Sequence, residues 1–128
     1  MTHLRQMLFI LQSGEHHLIQ NFMANNYYIL DDANNVVWTN DVMVWAKYFE
    51  THDRRVAQTT IGNKWVSTVF LGIDHAYHSD KLQIFETMIH NTDTNEWEDY
   101  QTRCSTYQEA EKMHLDAVNF VQWGKQSS

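Results

Sequence analysis

Gly62-Asn63 lies between two stretches of β-branched and aromatic residues, 55–61 and 64–73. A two-residue connection that opens with glycine suits a type II′ turn, because glycine enters φ > 0 there without steric cost. The two stretches are therefore expected to form an antiparallel hairpin. Its register sets Val56 opposite Val69, Thr60 opposite Trp65 and Arg55 opposite Phe70. One face then carries Val56, Trp65, Val69, Leu71 and Ile73, the expected core face.

The rest of the chain is read around this hairpin. Residues 27–30 form a strand, ended by the turn signal Asp31-Asp32-Ala33-Asn34-Asn35. Val36-Val37-Trp38 is a second short strand. Thr39-Asn40-Asp41 offers side-chain oxygens that can cap a helix. Val42, Trp45, Ala46 and Phe49 follow at helical spacing, so a short amphipathic helix is expected over 41–50. Residues 82–89 and 100–104 read as further strands. Thr106 with Glu109 makes a capping box. Tyr107, Ala110, Met113, His114, Ala117, Val118 and Val121 continue it as one stripe, predicting a helix over 107–122. Such a sheet must bury a face, and the two helices are its natural cover. The expected fold class is α+β: an antiparallel sheet of about four to six strands covered on one face by two helices. Residues 1–22 are expected as an N-terminal helical arm carrying Leu4, Met7, Leu8 and Leu11, and residues 23–128 as a single domain.

Composition narrows the function classes. The chain has 128 residues, enough for one core without staples. Its single cysteine, Cys104, forbids an internal disulfide and any multi-cysteine zinc site, and fits a reducing, cytoplasmic compartment. Sixteen acidic residues against nine basic ones give a net charge of −7, so nucleic-acid binding is disfavoured. No stretch approaches the ~20 apolar residues of a membrane span, and no membrane partner is expected.

Several phrases carry a family likeness. They are Tyr27-Tyr28-Ile29-Leu30-Asp31, Trp45-Ala46-Lys47-Tyr48-Phe49-Glu50, Asp53-Arg54-Arg55-Val56-Ala57, Ser67-Thr68-Val69-Phe70-Leu71-Gly72-Ile73-Asp74-His75, Phe85-Glu86-Thr87-Met88 and Ser105-Thr106-Tyr107-Gln108-Glu109-Ala110-Glu111. Together, over residues 27–118, they resemble a group of small, mostly uncharacterised proteins carried by bacteriophages and prophages. The resemblance implies a phage origin and work in the host cytoplasm, and it brings no established activity. The loop Ala76-Tyr77-His78-Ser79-Asp80 and Cys104 depart from the family pattern, so chemistry built on them would be peculiar to this chain.

Glu86 falls on an expected apolar sheet face, where a carboxylate is costly unless paired. Arg54 or Arg55 is the expected partner, since a guanidinium grips a carboxylate with two hydrogen bonds. Its plainest role is a buried ion pair that fixes register. Its functional reading is a polar pocket of Arg54, Arg55, Asp74, His75 and Glu86 for a small anionic or nucleotide-like ligand. His75, His78 and Asp80 have side chains that can ligate a metal if they converge, against the plainer reading of an exposed polar loop. Cys104 with His114 is the one Cys–His combination, expected to be inert without thiolate stabilisation. No phosphate-binding loop motif or dinucleotide fingerprint is present, and no cofactor is expected. Three functions follow. The first is a non-catalytic accessory protein that binds a host protein or small anionic ligand, blunting host defence. The second is a small metal-dependent hydrolase or nuclease built on Asp74, His75 and Glu86. The third is a self-assembling protein, homo-oligomeric through the N-terminal arm.

Overall fold

The computed structural model describes residues 27–74 and 81–124. The arm expected at residues 1–22 lies outside them, as do His75, His78 and Asp80.

Strands β1 (Tyr27–Leu30) and β2 (Val36–Thr39) form a two-stranded antiparallel sheet. The turn between them is held by Asp31, whose Oδ1 accepts the N–H groups of Ala33 and Asn35, while Asn34 takes φ +63°. Asparagine tolerates that left-handed backbone better than most side chains. Helix α1 (Val42–Thr51) follows, capped by Asp41, whose carboxylate accepts the N–H groups of Met43 and Val44. Its inward residues Trp45 and Tyr48 are three apart, on one face.

Strands β3 (Arg55–Ile61), β4 (Lys64–Phe70), β5 (Phe85–Asn91) and β6 (Glu96–Cys104) form the main antiparallel sheet in sequence order. The Gly62-Asn63 hairpin is present, with Gly62 at φ +58°. Thr60 pairs with Trp65 as expected, whereas Arg55 pairs with Val69 rather than Phe70. A bulge between Arg55 and Ala57 accounts for the difference, since one extra residue displaces every pairing beyond it. Strand β6 starts at Glu96, four residues before the expected start. Asn91 builds the turn that precedes it by accepting the N–H groups of Asp93 and Thr94. Helix α2 (Tyr107–Trp123) carries the expected capping box and ends at Gly124, φ +75°.

Helix α2 covers one face of the main sheet, while α1 packs chiefly against β1 and β2. The face under α2 joins Phe70 and Phe85 to Ala110, and Val66, Ile89 and Tyr100 to Ala117. Tyr48 of α1 enters the first of these clusters. The expected core face carrying Trp65, Val69 and Leu71 is the opposite one, and it is buried as well. Strands β4 and β5 are thus enclosed on both sides, and the usual alternation of apolar and polar residues is lost. Where α1 meets β1 and the end of β4, Tyr27, Trp45 and Ile73 form a further cluster. Trp45 Nε1 donates to the Gly72 carbonyl at 3.0 Å, satisfying its buried N–H. Among the described residues no helix is long and apolar enough to cross a membrane.

Candidate ligand-binding site

Arg54 stands at the junction of α1 and β3, three residues after the helix ends at Thr51. Its backbone carbonyl is fixed by the Phe70 N–H at 2.8 Å, which anchors the residue to the sheet. Its side chain folds back over α1, with the guanidinium carbon 4.0 Å from the centroid of the Phe49 ring. That geometry is a cation–π contact, in which the electron-rich ring face attracts the delocalised charge. The guanidinium is largely withdrawn from water. Nε and Nη1 are enclosed and make no hydrogen bond, and among the described residues Arg54 forms no ion pair. Burial lowers its pKa, and the nearby Tyr48 and Asp53 act in the opposite direction. An arginine is so basic that it stays charged regardless. The result is a half-buried cation lacking a contact counter-ion, an arrangement that ordinarily costs stability.

Beside this cation is a cavity of about 220 Å³. Leu30, Asp31, Asp32 and Asn34 of the first turn line one side. Tyr48, His52, Asp53, Arg54 and Arg55 line another, and Tyr107 of α2 closes it. His52 stacks on Tyr48 with ring centroids 4.3 Å apart. Its Nδ1 lies 2.9 Å from Thr51 Oγ1 and 3.2 Å from the Tyr48 carbonyl, so that edge of the ring is tied to the last turn of α1. Burial raises the Tyr48 pKa, and burial also raises that of Tyr107, so both phenols stay protonated at neutral pH. Arg55 is already paired: its Nε donates to Asp53 Oδ1 at 2.9 Å and its Nη2 to Oδ2 at 2.7 Å. Chemically, the cavity offers one guanidinium without a partner anion, two phenols, an imidazole and a rim of carboxylates.

The other expected site residues lie elsewhere. Glu86 does not pair with Arg54 or Arg55. It is fully buried on β5 and accepts from its neighbour strand: Gln101 Nε2 at 2.8 Å, Arg103 Nε at 3.1 Å and Arg103 Nη2 at 3.0 Å. The reason is register, because Glu86 stands directly opposite Arg103 on β6. Cross-strand neighbours on one face are within reach of each other, and the Arg54 side chain instead turns over α1. Asp74 follows the bridge at Ile73, and its Oδ1 accepts the Gln83 N–H at 3.0 Å. Neither Asp74 nor Glu86 lines the cavity. Of the expected set, Arg54 and Arg55 are brought together; Asp74 and Glu86 are not, and His75 lies outside the described residues. Among those residues no group of three or more His, Cys, Asp and Glu is placed to hold a metal.

Cys104 and His114 do not meet. Burial, reinforced by Glu109, pushes the Cys104 thiol up to about 12, so it is protonated at neutral pH and a poor nucleophile. His114 is 3 % exposed and engaged on both nitrogens, by Thr59 Oγ1 and Thr68 Oγ1, each at 2.8 Å. It joins α2 to the sheet rather than activating a nucleophile.

Sequence reasoning missed Tyr48, His52, Tyr107 and the Asp31–Asn34 turn as neighbours of Arg54. The one signal available was the Arg54-Arg55 pair just beyond a helix exit. No protein-family description, curated protein or solved structure matches this chain.

Proposed function

We propose that this chain is a non-catalytic binding protein that holds a small anionic ligand in the Arg54 cavity. One observation carries the reading: a half-buried guanidinium with no ion pair among the described residues lines an open cavity. An anion entering that space supplies the missing counter-charge, and charge-assisted contacts of this kind are among the stronger polar interactions. The volume of about 220 Å³ is below the ~300–1,000 Å³ of pockets that enclose drug-sized ligands, which favours a metabolite of few atoms. The resemblance to small bacteriophage proteins sets this activity in a host cytoplasm, as an accessory factor that sequesters a host metabolite.

The test is titration of the full chain with acetate, inorganic phosphate and AMP, followed by amide chemical-shift changes. The expected result is saturable movement of signals from Arg54, Tyr48 and His52 with at least one anion, lost in Arg54→Gln. If no anion moves those signals, or if Arg54→Gln responds as the parent does, the reading is wrong.

A second reading, binding of a host protein, is favoured by a different surface. Val37, Trp38, Val42, Met43 and Val44 are exposed together where β2 runs into α1, and Met43 is 72 % exposed. Clustered apolar exposure of this kind marks interaction surfaces. Host proteins retained by the parent chain and lost with Met43→Glu would support it; identical retention would remove it.

A further inference from the structure

The charges around the cavity say more about the ligand than its sign. Two cations, Arg54 and Arg55, face three carboxylates, Asp31, Asp32 and Asp53. Asp53 is spent on Arg55, with two short hydrogen bonds. Asp31 is spent on its own turn: the Asn35 N–H foremost, then the Asn35 side chain and the Ala33 N–H, hold it below the usual carboxylate range and so ionised. Two charges then remain outside any ion pair among the described residues, the half-buried Arg54 guanidinium and the solvent-exposed Asp32 carboxylate. They have opposite signs and line the same small cavity.

A polyanion is a poor match for this arrangement. Its first charge meets Arg54, and every further one faces a rim with an excess of carboxylate, where like charges repel. A ligand carrying one anion and one cation satisfies both unpaired groups and leaves the local charge unchanged. We infer that the ligand is a free α-amino acid, bound with its carboxylate toward Arg54 and its ammonium toward Asp32. The inference rests on the anion-binding reading above and specifies its ligand class. The size agrees, because the cavity suits a molecule of few atoms rather than a nucleotide. The aromatic part of the wall agrees too: Tyr48 and Tyr107 give a side chain apolar surface to lie against, with hydroxyls able to donate.

The experiment compares the full chain with each of the twenty protein amino acids, with the matching carboxylic acids that lack the amine, and with AMP, by calorimetry and amide chemical shifts. At least one amino acid is expected to bind about tenfold or more tightly than its amine-free counterpart, the ratio one charge-assisted contact supplies. Asp32→Asn, a surface change that leaves the core intact, is expected to erase that ratio without weakening the amine-free acid. Arg54→Gln is expected to abolish both. Equal affinity for acids with and without the amine, an unchanged ratio in Asp32→Asn, or tighter binding of AMP than of any amino acid overturns the zwitterion inference while anion binding stands. Absence of binding by every anion overturns both.

Discussion

His114 is the best-defined polar group of the core, and its removal has a magnitude that follows from its contacts. It is 3 % exposed, with Nε2 2.8 Å from Thr59 Oγ1 and Nδ1 2.8 Å from Thr68 Oγ1. Thr68 Oγ1 in turn lies 2.5 Å from Thr87 Oγ1, so one imidazole links α2 to three strands. A neutral imidazole has one donor and one acceptor, and threonine hydroxyls can play either part. In His114→Ala two hydrogen bonds of about 1 kcal/mol each are lost. The void left by the ring adds about 1–2 kcal/mol. Urea unfolding followed by tryptophan fluorescence is therefore expected to show a loss of about 3–4 kcal/mol with an unchanged denaturant slope. The pH dependence supplies a signature that mere loss of bulk lacks. Burial lowers the His114 pKa, so the unfolded chain takes up this proton more readily than the folded one. His114 leaves stability undiminished above the ordinary imidazole value of about 6.5. Stability then falls as pH drops below that value, by at most about 1.4 kcal/mol per pH unit, until the folded pKa is passed. His114→Ala is expected to lack this component, so the gap between parent and variant narrows from pH 7.5 to pH 5. A gap constant over that range, or a loss under about 1 kcal/mol at pH 7.5, would refute the assignment.

Two further stability predictions follow from close contacts. Gly72→Ala would drive a methyl group into the Phe49 ring and to within 2.9 Å of Trp45 Nε1, at φ +75°. A cost above about 2 kcal/mol is expected, against roughly 1 kcal/mol for Gly62→Ala, which has positive φ but open space around it; equal melting shifts would show the contact to be soft. Arg103→Met leaves the buried Glu86 carboxylate without its guanidinium and is expected to cost about 3–5 kcal/mol, much of it recovered by adding Glu86→Gln. A loss under about 1 kcal/mol in urea unfolding, with no recovery in the double variant, would show the ion pair to be dispensable.

The elements were legible because their signals are local. The Gly62-Asn63 turn, a cap within Thr39-Asn40-Asp41 and the Thr106–Glu109 capping box each act within four residues, and all are present, the structure choosing Asp41 as the cap. Strand β6 was read short because Glu96, Glu98 and Asp99 look like a loop, and the β5–β6 pairing is shifted between Met88 and His90. The same dependence on register hid the partner of Glu86. Chain order pointed to Arg54 or Arg55, and strand pairing selects Arg103 instead.

The list of elements, their order and the antiparallel β3–β4 hairpin follow from local sequence alone. Turn and cap chemistry depends on backbone angles that a few neighbouring residues set. Only the tertiary structure decided which face of β4 and β5 meets α2, because both faces are buried and neither reads as the wet one. It alone decided the cavity, whose walls come from residues 30–34, 48–55 and 107. No spacing encodes a site assembled across such distances. The way one guanidinium turns, over Phe49 rather than toward Glu86, is settled by packing after the strands have paired.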